Sequence, residues 1–448
     1  MAGVVNHNVC RPETKRVNTP TQKELQPPKT YIARTGTLTT KTTIQLNFGA
    51  DASFECEIDS SRVAVAPTPP APLADVVGEI RTVLAGPLDF PPLEQAIMPG
   101  DRVLLVLDRD TPLAAEIIGE IWAMLSHREV NPADVTILQP AALCSGSQSD
   151  PRAVLPENIK NLVEWKIHDP TESEVCGYLA ATASGERVYL ARDVTEADVV
   201  ISIGEVAFDS LLGFRGTHSA FYPGLSTTEA LELAHGQGHR ELGPDDDRPL
   251  RQMIDDVGWM LGTQFSIQVV PSVGHGAAKV FAGAIDSVFA RAKQFLTEFW
   301  LVELDSRPEI VVAAIDCDAA GHDWRQLGAA LESARNLVDN GGKIVILSEL
   351  SAETGPGMQL LRECETPGDA IQPLRTFLPP DLTPATQLAA AADWADVYLL
   401  SKLEGDVVED LFMTPLADGN EAARLLGGDE TCLFLPSAQH TFCRVRHS

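Results

Sequence analysis

From residue 101 onward the sequence alternates between short apolar runs and longer segments with helical spacing, and this alternation restricts the fold more than any other feature. DRVLLVLDRDTP contains an apolar run from Val103 to Leu107 that ends in acids, and LAAEIIGEIWAML follows with helical periodicity. ADVTILQP, VEWKIHD and ADVVISIGE repeat the apolar run, and SIQVVPSV closes this series at 266–273. Such runs lack a polar face, so each must be covered on both sides, as parallel strands are when helices flank their sheet. A second series comprises EIVVAAID, the helical segment WRQLGAALESARNLVDN before Gly341 and Gly342, KIVILSEL, DVYLLS and TCLFLP, with helices expected over 404–411 and 418–426. The expected fold class is α/β: two α/β lobes with mainly parallel sheets and a cleft between them, a common place for a ligand.

A length of 448 residues agrees with this division, since one core rarely grows so large. Residues 1–40 are polar, Pro- and Thr-rich and unpatterned, and read as a flexible tail. An N-terminal α/β domain is expected over 41–285 and a C-terminal one, with its connecting helices, over 286–448. IQLNFG and FECEID alternate like a hairpin that opens the first domain, and the proline-rich hinge APTPPAP follows at 66–72. ADVVGEIRTVLAG has helical spacing from Ala74 and stops at Gly86. GAAKVFAGAIDSVFARAKQFLTEFWLVEL reads as helices crossing between the domains.

The formal charge of −29, from 63 acids against 34 bases, argues against a nucleic-acid or anionic-membrane partner, because phosphate binding needs clustered cations. The eight cysteines are scattered, with no CxxC pair, and read as reduced thiols. No stretch approaches the roughly 20 apolar residues of a membrane span. Residues 1–30 lack the apolar core of a signal peptide, so a cytoplasmic location is expected.

In open parallel sheets ligands bind beyond the carboxyl ends of the strands, which directs attention to the loops there. Asp108, Arg109 and Asp110 end a strand and suit either a substrate carboxylate and a base, or a local ion pair. AALCSGSQSD can cradle an anion with its amides or form a plain turn, and Cys144 within it is a nucleophile or a buried thiol. His168 and Asp169 fit a turn better than an oriented base. His235 and His239 stand four apart, at metal-chelating distance on a helix, although Gly236 and Gly238 favour a helix end. Neither a Walker A loop nor GxGxxG occurs.

Several phrases resemble the nickel-dependent lactate racemases and related 2-hydroxyacid racemases and epimerases, over roughly residues 45–350. They are FPPLEQAIMPGDRVLLVLDRDTP, ADVTILQPAALCSG, EADVVISIGEVAFDSLLGFRGTHSAFYPGLSTTEALELAH and the helix before NGGKIVIL. The resemblance implies a two-domain fold around a nickel pincer nucleotide tethered to a lysine, with a histidine on the nickel. It also implies two histidines that exchange a proton with the substrate hydroxyl while hydride leaves and returns at C2. On this resemblance His235 takes the metal position, twelve residues after Pro223, and Ser219, Pro223 and Gly224 fall at the cofactor, Ser219 in place of the lysine. Asp209 and Cys144 stand where the two histidines are expected, and Asp108 matches the family aspartate. Thr111 replaces a carboxylate-binding arginine, Gln326 meets a substrate-side glutamine, and Ala329 replaces a lysine. His218 and His239 lie beside vacated positions. The resulting candidates are Asp108, Cys144, Asp209 and His218 for catalysis, Ser219, Pro223 and Gly224 for the nickel pincer nucleotide, Thr111 and Gln326 for substrate, and His235 for metal.

These residues lead to a diverged racemase or epimerase of a small-molecule hydroxyacid or sugar acid other than lactate. A non-catalytic or regulatory homologue that kept the fold is the alternative. A metal-dependent enzyme without the pincer cofactor is the third reading.

Overall fold

The structure, a computed structural model, describes residues 40–109, 111–141, 149–182, 185–236, 243–274, 276–316 and 322–445, without the side chains of 173, 235, 236 and 445. The expected tail, residues 1–40, lies outside them except for Thr40. The apolar runs become two sheets. The first has six strands in the order Ala277–Ala284, Phe265–Pro271, Val199–Glu205, Val103–Leu107, Val135–Pro140, Glu164–His168. Its strands are parallel except Ala277–Ala284, which runs antiparallel to its neighbour. Every residue of Val103–Leu107 is buried. On one face Leu105 and Leu107 meet Ile80, Ile117 and Ile121 of the helices Val76–Ala85 and Ala114–His127. On the other, Leu104 and Val106 meet Ala220, Phe221 and Leu225.

The second sheet is parallel throughout, in the order Thr414–Leu416, Asp396–Leu400, Lys343–Leu347, Ile310–Ala314, Cys432–Leu435. The helices Trp324–Leu337 and Leu382–Trp394 pack on one face through Leu327, Leu331, Ala385 and Leu388. The hairpin Lys41–Phe48 and Ala52–Asp59 covers the other, with Leu46, Phe48, Phe54 and Ile58 against Ile310, Val312 and Val345. It therefore packs away from the first domain it was expected to open, tied to the second sheet by Gly49 N donating to Ile315 O at 2.9 Å.

The segment expected to be helical from 276 begins as a strand. The chain reverses where Ser272 N donates to Gly276 O at 3.1 Å, and Ala277–Ala284 pairs back along Phe265–Pro271. Gly283, at φ +142°, lets the backbone of Leu88 approach so closely that a Cβ would lie 2.2 Å from its carbonyl oxygen. Small residues serve this edge contact, and helical spacing takes over only in Ile285–Trp300.

Strand order reverses once in each sheet. In the first, successive strands lie on opposite sides of Val103–Leu107. In the second, Cys432–Leu435 returns to the free side of Ile310–Ala314. Loops diverge at such switch points and leave a crevice beyond the carboxyl ends.

Candidate functional site

Residues following both switch points line a single cavity of about 310 Å³. Asp108 and Arg109 follow a strand of the first sheet, Glu205 ends another, and Asp209 and Arg215 lie on the short hairpin after it; Arg325 and Glu332 come from the helix Trp324–Leu337, and Gln439 and His440 from the turn after Cys432–Leu435. Asp108 follows its strand, accepts Arg109 N at 2.8 Å through its carboxylate, and accepts Thr111 Oγ1 at 2.9 Å through its carbonyl. Arg109 Nε donates to Ala141 O at 2.6 Å, joining two post-strand loops. Thr111, expected at the substrate carboxylate, is buried and absent from the cavity lining, so its hydroxyl serves the loop.

Asp209 ends the strand Ala207–Asp209, which pairs with Gly213–Arg215. Its Oδ1 accepts Leu211 N at 2.8 Å and Leu212 N at 2.9 Å, closing the turn between these strands. Phe208, Phe214 and Phe442 pack ring to ring, with centroids 5.0 to 5.6 Å apart, and hold the hairpin against the C-terminal strand. Asp209 and Arg215 are thereby carried on a fixed support. Arg215 pairs with Glu205, which is 3% exposed. Burial works to lower the Arg215 pKa, but the carboxylates of Glu205, Asp108 and Asp209 raise it above its ordinary value.

Gly216, at φ +117°, turns the chain where a Cβ would meet Val206 Cγ2 at 2.7 Å. Ser219 Oγ accepts Gly216 N at 2.8 Å and closes that turn. Ser219, Pro223 and Gly224 all line the cavity. His218, one residue before Ser219, does not. Its Nδ1 lies 3.1 Å from Asp255 Oδ1, and a Cβ on Gly258 would fall 2.2 Å from its ring. Arg251 grips the same carboxylate at 2.7 and 3.0 Å. Burial works to raise the Asp255 pKa, and the hydrogen bonds from His218 and Arg251 outweigh it and hold the carboxyl below its ordinary range. The environment of His218 is thus a strut between the loop and the helix Pro249–Leu261, rather than the catalytic surface expected of it.

On the opposite wall, Gln326 lines the cavity, yet its Oε1 accepts Asp323 N at 2.9 Å in a capping box that starts the helix Trp324–Leu337. Ala329 and Glu332 follow at helical spacing on the same lining face. Glu332 escapes sequence reasoning, since an acid in an amphipathic helix reads as solvent-facing; the only signal is its three-residue spacing from Ala329. Its Oε2 accepts Gln387 Nε2 at 2.8 Å. Burial, and to a lesser degree the Asp209 charge, push its carboxyl up to about 7. The cavity thus holds a carboxyl group that exchanges its proton near neutral pH.

Cys144, Asp110 and His239 lie outside the described residues. The backbone of His235 lies in the helix Thr228–Gly236, and its side chain also lies outside them. No group of three or more His, Cys, Asp or Glu residues among the described ones could hold a metal. Nor is any described helix long and apolar enough to cross a membrane.

Comparison with known proteins adds family to geometry. The family described as lactate racemase N-terminal domain matches residues 48–242, which include the loops from Asp108 to Gly224. The lactate racemase of Thermoanaerobacterium thermosaccharolyticum is 20% identical over 337 residues, spanning 72% of this chain and 79% of that protein. The chain is lactate-racemase-like, with residues 48–242 matching the N-terminal domain of that family. The structure of the lactate racemase apoprotein from the same organism superposes with a TM-score of 0.76 at 17% identity, covering 90% of this chain and 100% of that one. A Thermotoga maritima protein of known crystal structure gives a TM-score of 0.63 at 14% identity, covering 83% and 98%. These likenesses bear out the α/β fold with mainly parallel sheets.

The lactate-racemase-like cleft does not fit a lysine-tethered pincer nucleotide. Ser219, the residue that the resemblance puts at the tether, has a hydroxyl that cannot form the amide and that closes the Gly216 turn instead.

Proposed function

We propose that the cleft binds the anion of a small 2-hydroxyacid or sugar acid and that Glu332 holds and moves the proton of the substrate hydroxyl in a racemase- or epimerase-type site, where inversion also requires a hydride acceptor of the pyridinium class, held without a covalent tether, that would take up and return the C2 hydrogen. The observation that carries this reading is the position of Glu332: in the cavity, bonded to Gln387 and poised at about 7. A group with that pKa is as often protonated as not at neutral pH, which is what general acid–base work on a hydroxyl requires of a side chain. Histidine ordinarily supplies this property, and here burial confers it on a carboxyl group. Arg215, kept charged by its carboxylate neighbours, shares the cavity with Arg109 and Arg325, and these guanidinium groups supply donors for a substrate carboxylate. The Asp209 charge disfavours ionisation of Glu332 and so helps to keep its carboxyl protonated.

A second reading, a binding or regulatory homologue, is favoured by the engagement of Ser219 in its turn and of His218 with Asp255. One preparation distinguishes them. Protein from cells that make the pincer cofactor is weighed by intact mass spectrometry, analysed for nickel, zinc and iron, and incubated with single stereoisomers of lactate, glycerate and sugar acids. The expected outcome is unchanged covalent mass, interconversion of stereoisomers with a midpoint near pH 7, and loss of turnover with retained binding in Glu332→Gln. Binding without interconversion supports the regulatory homologue. Zinc or iron with turnover but no nickel points to a metal-dependent enzyme of another kind.

A further inference from the structure

The charged lining of the cleft gives way on one side to leucines. We propose that the substrate is a 2-hydroxyacid whose side chain is an apolar branched-alkyl or aryl group, seated among Leu211, Leu212, Leu231, Ala234 and Leu250, and not a sugar acid. The inference rests on the reading that the cleft binds a hydroxyacid anion, and it names the class of that acid.

The charged groups gather around Arg215, which feels the carboxylates of Glu205, Asp108 and Asp209 and the Arg325 guanidinium. The apolar side chains come from other elements. Among the described residues, the helices Thr228–Gly236 and Pro249–Leu261 bring only Leu231, Ala234 and Leu250 to the cavity, and none of these side chains carries a polar atom. Ala234 and Leu250 belong to one buried cluster with Tyr222, and Leu211 and Leu212 pack against it. Leu231 precedes Ala234 by three residues on one helix, so the two share a face. Burial pushes the Tyr222 phenol up to about 12, so it adds no charge to this side. Leu211, Leu212 and Leu231 are only half-buried, and their methyl groups still offer surface to the cavity. A single leucine in that state means little, but several on one cavity wall mark a seat for hydrocarbon.

The charged and apolar sides meet at Asp209. Its carboxylate accepts Leu211 N and Leu212 N, and Glu332 feels its charge. A 2-hydroxyacid presents its groups in the same order: carboxylate, then the carbon that bears the hydroxyl, then the side chain. With the carboxylate toward the guanidinium groups and the hydroxyl toward Glu332, the chain from C3 onward extends to the leucines. The hydroxyl groups of a sugar acid would lose water there and meet methyl groups that neither donate nor accept a hydrogen bond. A hydrocarbon gains instead, by about fourfold in affinity for each CH₂ taken out of water. A pyridinium ring carries a positive charge, for which the leucines offer no partner, so this side suits the substrate better than a hydride acceptor.

The test uses the full chain at pH 7.5 and constant ionic strength, titrated calorimetrically with both stereoisomers of 2-hydroxy-4-methylpentanoate, 3-phenyllactate and glycerate, and with gluconate. At least one of the two apolar acids should bind ten times more tightly than glycerate, and gluconate no better than glycerate. Leu231→Gln and Leu211→Gln, each shown by circular dichroism to be folded, should bring that preference below threefold. Glycerate or gluconate binding as tightly as the apolar acids overturns this inference and leaves the hydroxyacid reading of the cleft standing, as does a preference that survives both leucine replacements. Absence of saturable binding by every acid overturns that reading and this inference with it. Nicotinamide mononucleotide serves as the probe for the hydride acceptor. If Leu231→Gln weakens its binding and spares that of the apolar acids, the leucines seat the acceptor and the inference fails.

Discussion

The two walls of the cleft each present a glutamate, and they differ in what meets it. Glu205, on the first wall, is nearly inaccessible and faces the Arg215 guanidinium. Glu332, on the second, faces the carboxamide of Gln387 and the charge of Asp209. A cation makes a buried carboxylate part of the structure, whereas an amide leaves the carboxyl group free to trade a proton. One fold therefore places a permanent charge pair and a titrating group on one cavity, and the difference rests on the charge of the groups around each.

The strongest attack on this comparison removes the cation. Arg215→Met leaves Glu205 buried without its compensating charge and should cost roughly 3–5 kcal/mol in chemical denaturation. Arg215→Met with Glu205→Met should recover most of the loss, since what destabilises is the orphaned charge. A single-variant loss under about 1 kcal/mol would mean that water already screens the pair, and the walls would not differ in kind.

The second attack removes the proton. Because the folded Glu332 carboxyl titrates at about 7 and the unfolded one near its ordinary 4.5, the native state binds the extra proton between these values. Stability then falls as pH rises through that window and levels off above it, by about 2 kcal/mol after allowance for local water. Glu332→Gln should flatten this slope and stabilise the protein at pH 8, while abolishing any turnover. Identical pH–stability curves for the two proteins would place Glu332 in an ordinary solvated state and remove the basis of the proposed function.

A smaller effect concerns the strut behind the first wall. Gly258→Ala drives a methyl into the His218 ring and should cost about 1–2 kcal/mol by overpacking. It should also weaken the bond to Asp255, whose depressed pKa contributes stability above its unfolded value that is lost as pH falls through the folded one. The variant should therefore lose less stability on acidification than the wild type does. Unchanged melting at both pH values would show that His218 moves aside easily and remains available to the cleft.

What could be read from the sequence follows the range of the forces involved. Val103–Leu107 and Ile310–Ala314 were readable because continuous apolar runs need nothing beyond themselves to demand burial. Asp209, Ser219, Pro223, Gly224 and Gln326 were placed by local phrases, and all line the cavity. Three features depend on distant partners and left no local trace. Glu332 acquires its character from burial among distant elements, against the hydrogen bond from Gln387, 55 residues away. The hairpin finds its sheet through Ile315, and the strand Ala277–Ala284 passes Leu88 at a glycine. His218 lies off the cavity lining for a geometric reason: adjacent residues in a tight turn point in different directions, so Ser219 lines the cavity and His218 faces Asp255.

The same reasoning applies at Thr111, where the expected change is smallest. Its place in the phrase DRDTP suggested contact with a substrate carboxylate, but its hydroxyl donates to Asp108 O at 2.9 Å and shapes the loop that presents Asp108 and Arg109. Thr111→Val keeps the shape of the side chain and deletes this bond, so the cost should be about 1 kcal/mol in unfolding free energy. Anion affinity in the cleft should change less than twofold, because the variant removes nothing that lines the cavity. If affinity instead fell tenfold at unchanged stability, Thr111 would belong to the ligand, and the first wall would extend one residue further along the loop than the cavity indicates.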